Sequence, residues 1–295
     1  MRIDTKNIIS KLKLLKAKRI MVQFPEGLKM KILEIAKVLE KEGFDLILNV
    51  EPVFGARDIR DFEGKRLGCD MILHIGHSDF GVKSELPVIY WDYFFDVNPI
   101  PALKKNLEKL NNYKNIGLFT SIQYMPAMLK VKNFLEKNEK NVFTHKSQKY
   151  EGQVLGCRIF AATTLKDKID CFMYIGAGRF HPLGVALTTD IPTFSLDLEK
   201  NEIIDFQKEK KTYMKKKAWH DVKLKEARTI GITVSWKQGQ NRIEEAMRLK
   251  KSLEKEGKEV HILAFDTISK EKIIGMKFDC VVNMVCPRMD DEDLF

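Results

Sequence analysis

Short apolar runs alternate with stretches of helical periodicity along this chain, and the alternation occurs three times. Each copy opens on a β-rich run: Arg19-Ile20-Met21-Val22-Gln23-Phe24, Asn115-Ile116-Gly117-Leu118-Phe119-Thr120 and Thr229-Ile230-Gly231-Ile232-Thr233-Val234. A polar or glycine-containing turn follows: Pro25-Glu26-Gly27, Ser121-Ile122-Gln123, and Ser235-Trp236-Lys237-Gln238-Gly239-Gln240. Each turn leads into an amphipathic helix, marked in the first copy by Leu28, Ile32, Ile35, Ala36 and Leu39. The helices end alike, at Leu39-Glu40-Lys41-Glu42-Gly43, Leu135-Glu136-Lys137-Asn138 and Leu253-Glu254-Lys255-Glu256-Gly257. Glycine or asparagine at that point suits a left-handed C-cap.

The pattern predicts a second strand over Phe44 to Val50, Asn141 to His145 and Glu259 to Ala264, and a third over 70–76, 170–176 and 279–285. Copies one and two add a fourth, with a shared proline and aspartate: Pro87-Val88-Ile89-Tyr90-Trp91-Asp92 and Pro192-Thr193-Phe194-Ser195-Leu196-Asp197. Strand–helix alternation with continuous apolar strands predicts small parallel α/β sheets. The expectation is three similar α/β domains over 1–98, 99–204 and 205–295, in a pseudo-threefold arrangement around a central junction. The third copy is expected to lack its last strand, because the chain stops nine residues after Cys286, through natural shortness or truncation.

Composition changes this picture little. Of 295 residues, 44% are apolar and 31% charged, as in ordinary globular chains of two or three modest domains. No apolar run reaches the length of a spanning helix, and the first residues carry charge without an apolar segment. A cytoplasmic protein is expected. The formal charge of +10 suggests an acidic or phosphate-bearing partner. Much of it is spread over lysine-rich helices such as Lys208 to Lys217, which read as solvated helix faces, so direct nucleic-acid binding is not the favoured reading.

The five cysteines are an odd number with no CxxC spacing, which argues against a disulfide framework and for ligand or catalytic roles. The repeats sort them. Cys171 and Cys280 share one position, matched by Met71, and read as core residues. Cys69, just before its strand, reads as a partly buried free thiol. Cys157 and Cys286 lie at or beyond element ends, where open α/β sheets place ligands. The first-copy counterpart of Leu155-Gly156-Cys157 is Phe54-Gly55-Ala56-Arg57, with the register differing by one. Three domains, each offering one residue to a central point, could hold a metal cluster. An iron–sulfur cube takes thiolates, normally four, and three would leave one iron open. The competing reading is two unrelated cysteines that happen to lie near glycine or proline.

The flanking motifs resemble the archaeal diphthamide synthase family, 2-(3-amino-3-carboxypropyl)histidine synthase. The matching pieces are Phe24-Pro25-Glu26-Gly27-Leu28, Asp70 through His74-Ile75-Gly76-His77-Ser78, Leu155-Gly156-Cys157, Gly176-Ala177-Gly178-Arg179-Phe180-His181-Pro182-Leu183-Gly184, Lys237-Gln238-Gly239-Gln240 and Cys286-Pro287-Arg288. The resemblance implies three related domains with one cluster-ligating cysteine from each. It also implies a 4Fe–4S cluster that binds S-adenosylmethionine, and transfer of a 3-amino-3-carboxypropyl group to a histidine of translation elongation factor 2. The cofactor supplies the radical chemistry and the protein the orientation. Cys157 and Cys286 match the second and third cluster cysteines; Arg57, in Phe54-Gly55-Ala56-Arg57-Asp58, stands where the family has the first. A protonated guanidinium cannot ligate iron, and Cys69 is a possible substitute.

Glu26 and Gly27, at a helix start, and Gln123 and Gln240, at the equivalent starts, are candidate cofactor-binding residues, with plain helix starts as the competing reading. Arg179 and Arg288 are candidate partners for the methionine carboxylate, against surface ion pairs. His77 and His181 are candidate hydrogen-bonding residues, against structural ones. Four functions remain: an active transferase; a non-catalytic or electron-relaying subunit beside a three-cysteine paralogue, favoured by Arg57; a quinolinate-synthase-like cluster enzyme; and a metal-free basic binding protein. The family further implies a homodimer or heterodimer and an electron donor.

Overall fold

The computed structural model describes residues 5–155, 157–237 and 240–285. These divide into two compact units, 1–207 and 208–295.

In the first unit the chain runs α1 (Thr5–Leu14), β1 (Arg19–Gln23), α2 (Lys29–Lys41), β2 (Asp45–Leu48), α3 (Asp61–Arg66), β3 (Met71–Ile75) and β4 (Val88–Trp91). It continues through α4 (Ile100–Lys105), β5 (Asn115–Thr120), α5 (Met125–Lys137), β6 (Asn141–Phe143), α6 (Phe160–Thr163), β7 (Cys171–Gly176), α7 (Phe180–Thr188), β8 (Thr193–Asp197) and β9 (Glu202–Asp205). The first sheet has the order β2-β1-β3-β4, all parallel. The second repeats that order as β6-β5-β7-β8 and adds β9 antiparallel to β8. After α8 (Gln207–Glu226), the second unit holds β10 (Thr229–Ser235), α9 (Ile243–Lys255), β11 (Glu259–Phe265) and β12 (Cys280–Asn283) in a parallel sheet of order β11-β10-β12. The same strand order thus occurs three times, as the alternation predicts, and the described residues supply no fourth strand in the third sheet.

The central strands are buried along almost their whole length. Every residue of β3 and β7 is enclosed, because a parallel strand covered on both faces has no solvent side. The apolar stripe of α2 (Ile32, Ile35, Ala36 and Leu39) packs on this layer with Leu28 just ahead of it. Met71, Cys171 and Cys280 are all buried, as the repeat reading expects. The second strands are shorter than predicted: β2 stops at Leu48 and β6 at Phe143. Both are edge strands with a single ladder partner, and beyond them the chain turns away into the loops described below.

One device holds each repeat at its base. Asp70, Asp170 and Asp279 stand just before β3, β7 and β12, and each carboxylate accepts two backbone N–H groups at the start of the neighbouring strand. These come from Lys18 and Arg19, from Lys114 and Asn115, and from Arg228 and Thr229, at 2.7–3.2 Å. Backbone hydrogen bonds hold Asp170 and Asp279 below the ordinary carboxylate range.

The helix ends carry one correction. Gly43 (φ +90°) and Gly257 (φ +82°) take the left-handed C-cap as expected. Asn138 does not: its φ is −102°, and the left-handed residue is Glu139 (φ +61°). The Asn138 amide instead donates to the Phe134 carbonyl at 2.8 Å, which satisfies the last turn from the side and moves the cap on by one residue. The lysine-rich helix α8 has no buried residue, in keeping with a solvated face. No helix among the described residues is long and apolar enough to cross a membrane.

Candidate active site

Two segments of the first repeat and one of the second converge at the ends of their strands. The loop after β2 carries Phe54 to Asp58. It is pinned on both sides of Arg57. The Tyr90 hydroxyl donates to the Ala56 carbonyl at 3.1 Å. The fully buried Gln23 donates to the Asp58 carbonyl at 3.0 Å and accepts from the Arg60 N–H at 3.1 Å. The buried Asp58 carboxylate accepts the Phe54 N–H at 3.3 Å and lies 3.6 Å from the Arg60 Nε.

The second segment continues β3 through Gly76, His77, Ser78 and Phe80. His74 and His77 meet nitrogen to nitrogen at 2.9 Å, and the His74 ring lies 5.2 Å from that of Tyr90. Burial and the neighbouring His77 lower His74 well below the usual imidazole value, and enclosure lowers His77 to about 4. Burial, with the Asp79 carboxylate adding to it, raises Tyr90 to about 12. The cluster is therefore neutral near pH 7, and the buried Nδ1 of His74 has no hydrogen-bond partner.

The third segment, 150–158, carries Cys157. Gln153 is fully buried; it donates to the Ser78 hydroxyl at 2.8 Å and accepts the Tyr150 N–H at 3.1 Å. That bond ties the His77-Ser78 motif to the cysteine loop. Lys149 and Tyr150 also meet Asp92 of the first repeat, Tyr150 at 2.9 Å. At the meeting point Phe80 is buried against Ala56 and Leu155. The guanidinium of Arg57 lies over its ring, 4.0 Å from the centroid, and that of Arg158 lies over the same ring at 3.8 Å. Cys157, next to Arg158, is exposed.

A second set of candidates gathers around Gly76. Its carbonyl accepts the Gln123 amide at 2.5 Å, and its Cα faces Pro25 and Leu28, which flank Glu26 and Gly27. Glu26 is exposed and pairs with Lys29 at 2.6 Å; Gly27 faces open space. Gln240 belongs to the second unit, in the turn before α9, where its N–H donates to Lys237 at 3.0 Å. His181 stacks on Tyr174 at 5.7 Å, and Arg179 is exposed at the start of α7. Cys286 and Arg288 lie outside the described residues.

Sequence reasoning missed Phe80 and Arg158. The available signal was an aromatic two residues beyond one quoted motif and an arginine directly after another; neither spacing reveals that Phe80 carries both Arg57 and Arg158. Cys69 is buried against Met21 and Ile72, and burial pushes its thiol up, so it makes a poor substitute ligand.

The family model described as "Putative diphthamide synthesis protein" matches residues 24–295. The chain is 32% identical to the 2-(3-amino-3-carboxypropyl)histidine synthase of Pyrococcus horikoshii, over 99% of this chain and 85% of the relative. It is 26% identical to subunit 1 of the same-named synthase of Caenorhabditis elegans, over 95% of this chain and 72% of that one. Two crystal structures of Pyrococcus horikoshii Dph2, one with a 4Fe–4S cluster, match with a TM-score of 0.87 and 31% identity over 98% of this chain. They are covered to 85% and 86%.

A cluster held by three thiolates does not fit the donors present here. Cys157 offers an exposed thiol, but Arg57 places a guanidinium at the matching position of the first repeat. The described residues contain no group of three or more histidine, cysteine or acidic side chains able to hold a metal.

Proposed function

The chain belongs to the diphthamide synthesis family, and we propose from that premise that it serves as a 2-(3-amino-3-carboxypropyl)histidine synthase chain. The reaction is transfer of the 3-amino-3-carboxypropyl group of S-adenosylmethionine to a histidine of translation elongation factor 2, in the cytoplasm. One observation carries this reading: segments remote in sequence meet at one buried ring, Phe80, which takes Ala56 and Arg57 from one side and Leu155 and Arg158 from the other, while Gln153 of the cysteine loop donates to Ser78. Strand ends of open α/β sheets are where such folds bind ligands.

In this reading the chain's own groups bind and orient. The Gly76 carbonyl, held by Gln123, and the turn at Glu26 and Gly27 form a polar edge suited to the adenosyl and amino-acid parts of the donor. Arg179 and Arg288 are the candidates for its carboxylate. The neutral His74–His77 pair stiffens the wall without adding charge.

A second reading is favoured by Arg57: the chain is one subunit of that enzyme, paired with a chain that has all three cysteines and served by an electron donor. The test is transfer of label from carboxypropyl-labelled S-adenosylmethionine to elongation factor 2 under anaerobic, reducing conditions. The arms are this chain alone, this chain with a three-cysteine paralogue, and Arg57→Cys. Label incorporated in any arm, and dependent on Cys157, supports the family activity; activity only with the paralogue selects the subunit reading. No incorporation in any arm would remove the proposal.

A further inference from the structure

We propose that position 57 is a built guanidinium site, closed against iron, and that this chain alone therefore assembles no three-thiolate cluster. The inference rests on the family reading of the site and takes it one step further.

A vacated ligand position would be a small or solvent-directed side chain on a loop free to move. Position 57 is neither. Both of its neighbours are fixed, Ala56 through Tyr90 and Asp58 through Gln23, Phe54 and Arg60. Gln23 and Asp58 are themselves buried, so the loop cannot swing to bring another donor forward without breaking enclosed hydrogen bonds. The Arg57 side chain is committed to the face of Phe80, a ring enclosed by Ala56 and Leu155. Arg158, beside the exposed Cys157, uses the same ring. The loop of the cysteine that should share a cluster with position 57 thus brings a second guanidinium, that of Arg158, to the ring that holds Arg57. A guanidinium is a donor of N–H groups and offers iron no electron pair. The other described thiols cannot make up the set: Cys69, Cys171 and Cys280 are all buried in strands or against them.

The experiment is anaerobic reconstitution of the full chain with iron and sulfide, desalting, and measurement of retained iron, sulfide and charge-transfer absorbance. Wild type and Arg57→Ala are expected to retain under about one iron per chain, and Arg57→Cys about four, the content of one cube. About four firmly held irons on the wild type, lost in Cys157→Ser, would overturn the proposal and leave the family reading standing; that arm needs no substitution at position 57 and so does not depend on a variant folding. Arg57→Cys with an unchanged melting temperature and no gain in iron also overturns it, because position 57 would then not be the limiting one. Iron gained by Arg57→Cys that survives addition of Cys157→Ser overturns the family reading of the site itself.

Discussion

His74 and His77 show how burial sets the protonation of a pair of rings in contact. Their facing nitrogens are 2.9 Å apart, so one must donate and the other accept; a second proton on the accepting ring would break the bond, and one on the donor ring would put a charge in an enclosed place. Their depressed values follow from burial first and, for His74, from its neighbour second. The consequence for stability has a definite sign. The folded state keeps His77 neutral down to about 4, whereas the unfolded chain protonates it near 6.5. Its contribution is therefore full above 6.5 and is lost progressively as the pH falls from there towards 4. His77 adds a slope of up to about 1.4 kcal/mol per pH unit across that window. Urea midpoints of the wild type should fall between pH 7 and pH 5, and His77→Gln should flatten that fall while starting lower at pH 7. Parallel curves for the two proteins would show that the pair does not carry the dependence. Arg57 makes a different kind of contact at the same site: its guanidinium stacks on Phe80, which contributes about 0.5–2 kcal/mol.

The loop that carries Cys157 shows why some elements are written in the sequence and others are not. Gly152 sits at φ +74°, and a Cβ there would lie 2.9 Å from the Met128 Sδ on α5. The turn brings Gln153 under the first repeat, where it reaches Ser78. Gly152→Ala must both strain the backbone and push Met128 aside, at a cost of about 1–3 kcal/mol. Thermal unfolding should show the loss, and Met128→Ala should recover part of it by removing the clash; no recovery would mean that backbone strain alone is responsible. The sequence pattern identified the central strands and α2 because a doubly covered strand must be apolar throughout and a half-covered helix must carry a stripe. It did not identify β9, four residues of which Ile203 alone is buried. Nor did it assign the three aspartates their role, since an aspartate before a strand reads equally well as a turn residue. At the site, the repeats and the family motifs placed Arg57 beside the cysteine series. Phe80 escaped notice because its importance comes only from contacts between distant segments.

The first unit contains two sheets with separate cores, yet the boundary between them is stitched rather than hinged. Phe95 packs against both cores, 5.8 Å from the Tyr93 ring on one side and 5.2 Å from the Tyr124 ring on the other. Its N–H donates to the Gln123 carbonyl at 2.8 Å, while the Gln123 side chain holds the Gly76 carbonyl. Tyr150 and Lys149 meet Asp92, and Gln153 meets Ser78, on the same seam. These contacts include the very residues that shape the candidate site, so the seam and the site share one structural requirement. A chain of residues 1–207 should therefore unfold in one cooperative transition, with fluorescence and circular dichroism midpoints coinciding. Phe95→Ala removes the ring common to both cores and is expected to cost about 3–5 kcal/mol if the space stays unfilled. Its diagnostic effect is on cooperativity: the two probes should separate as one sheet loosens before the other. Coincident midpoints in Phe95→Ala, merely shifted to lower denaturant, would show that the hydrogen bonds along the seam couple the sheets without it. Two transitions in the unsubstituted 1–207 chain would show that the two repeats fold independently and that the site is assembled only after both have done so.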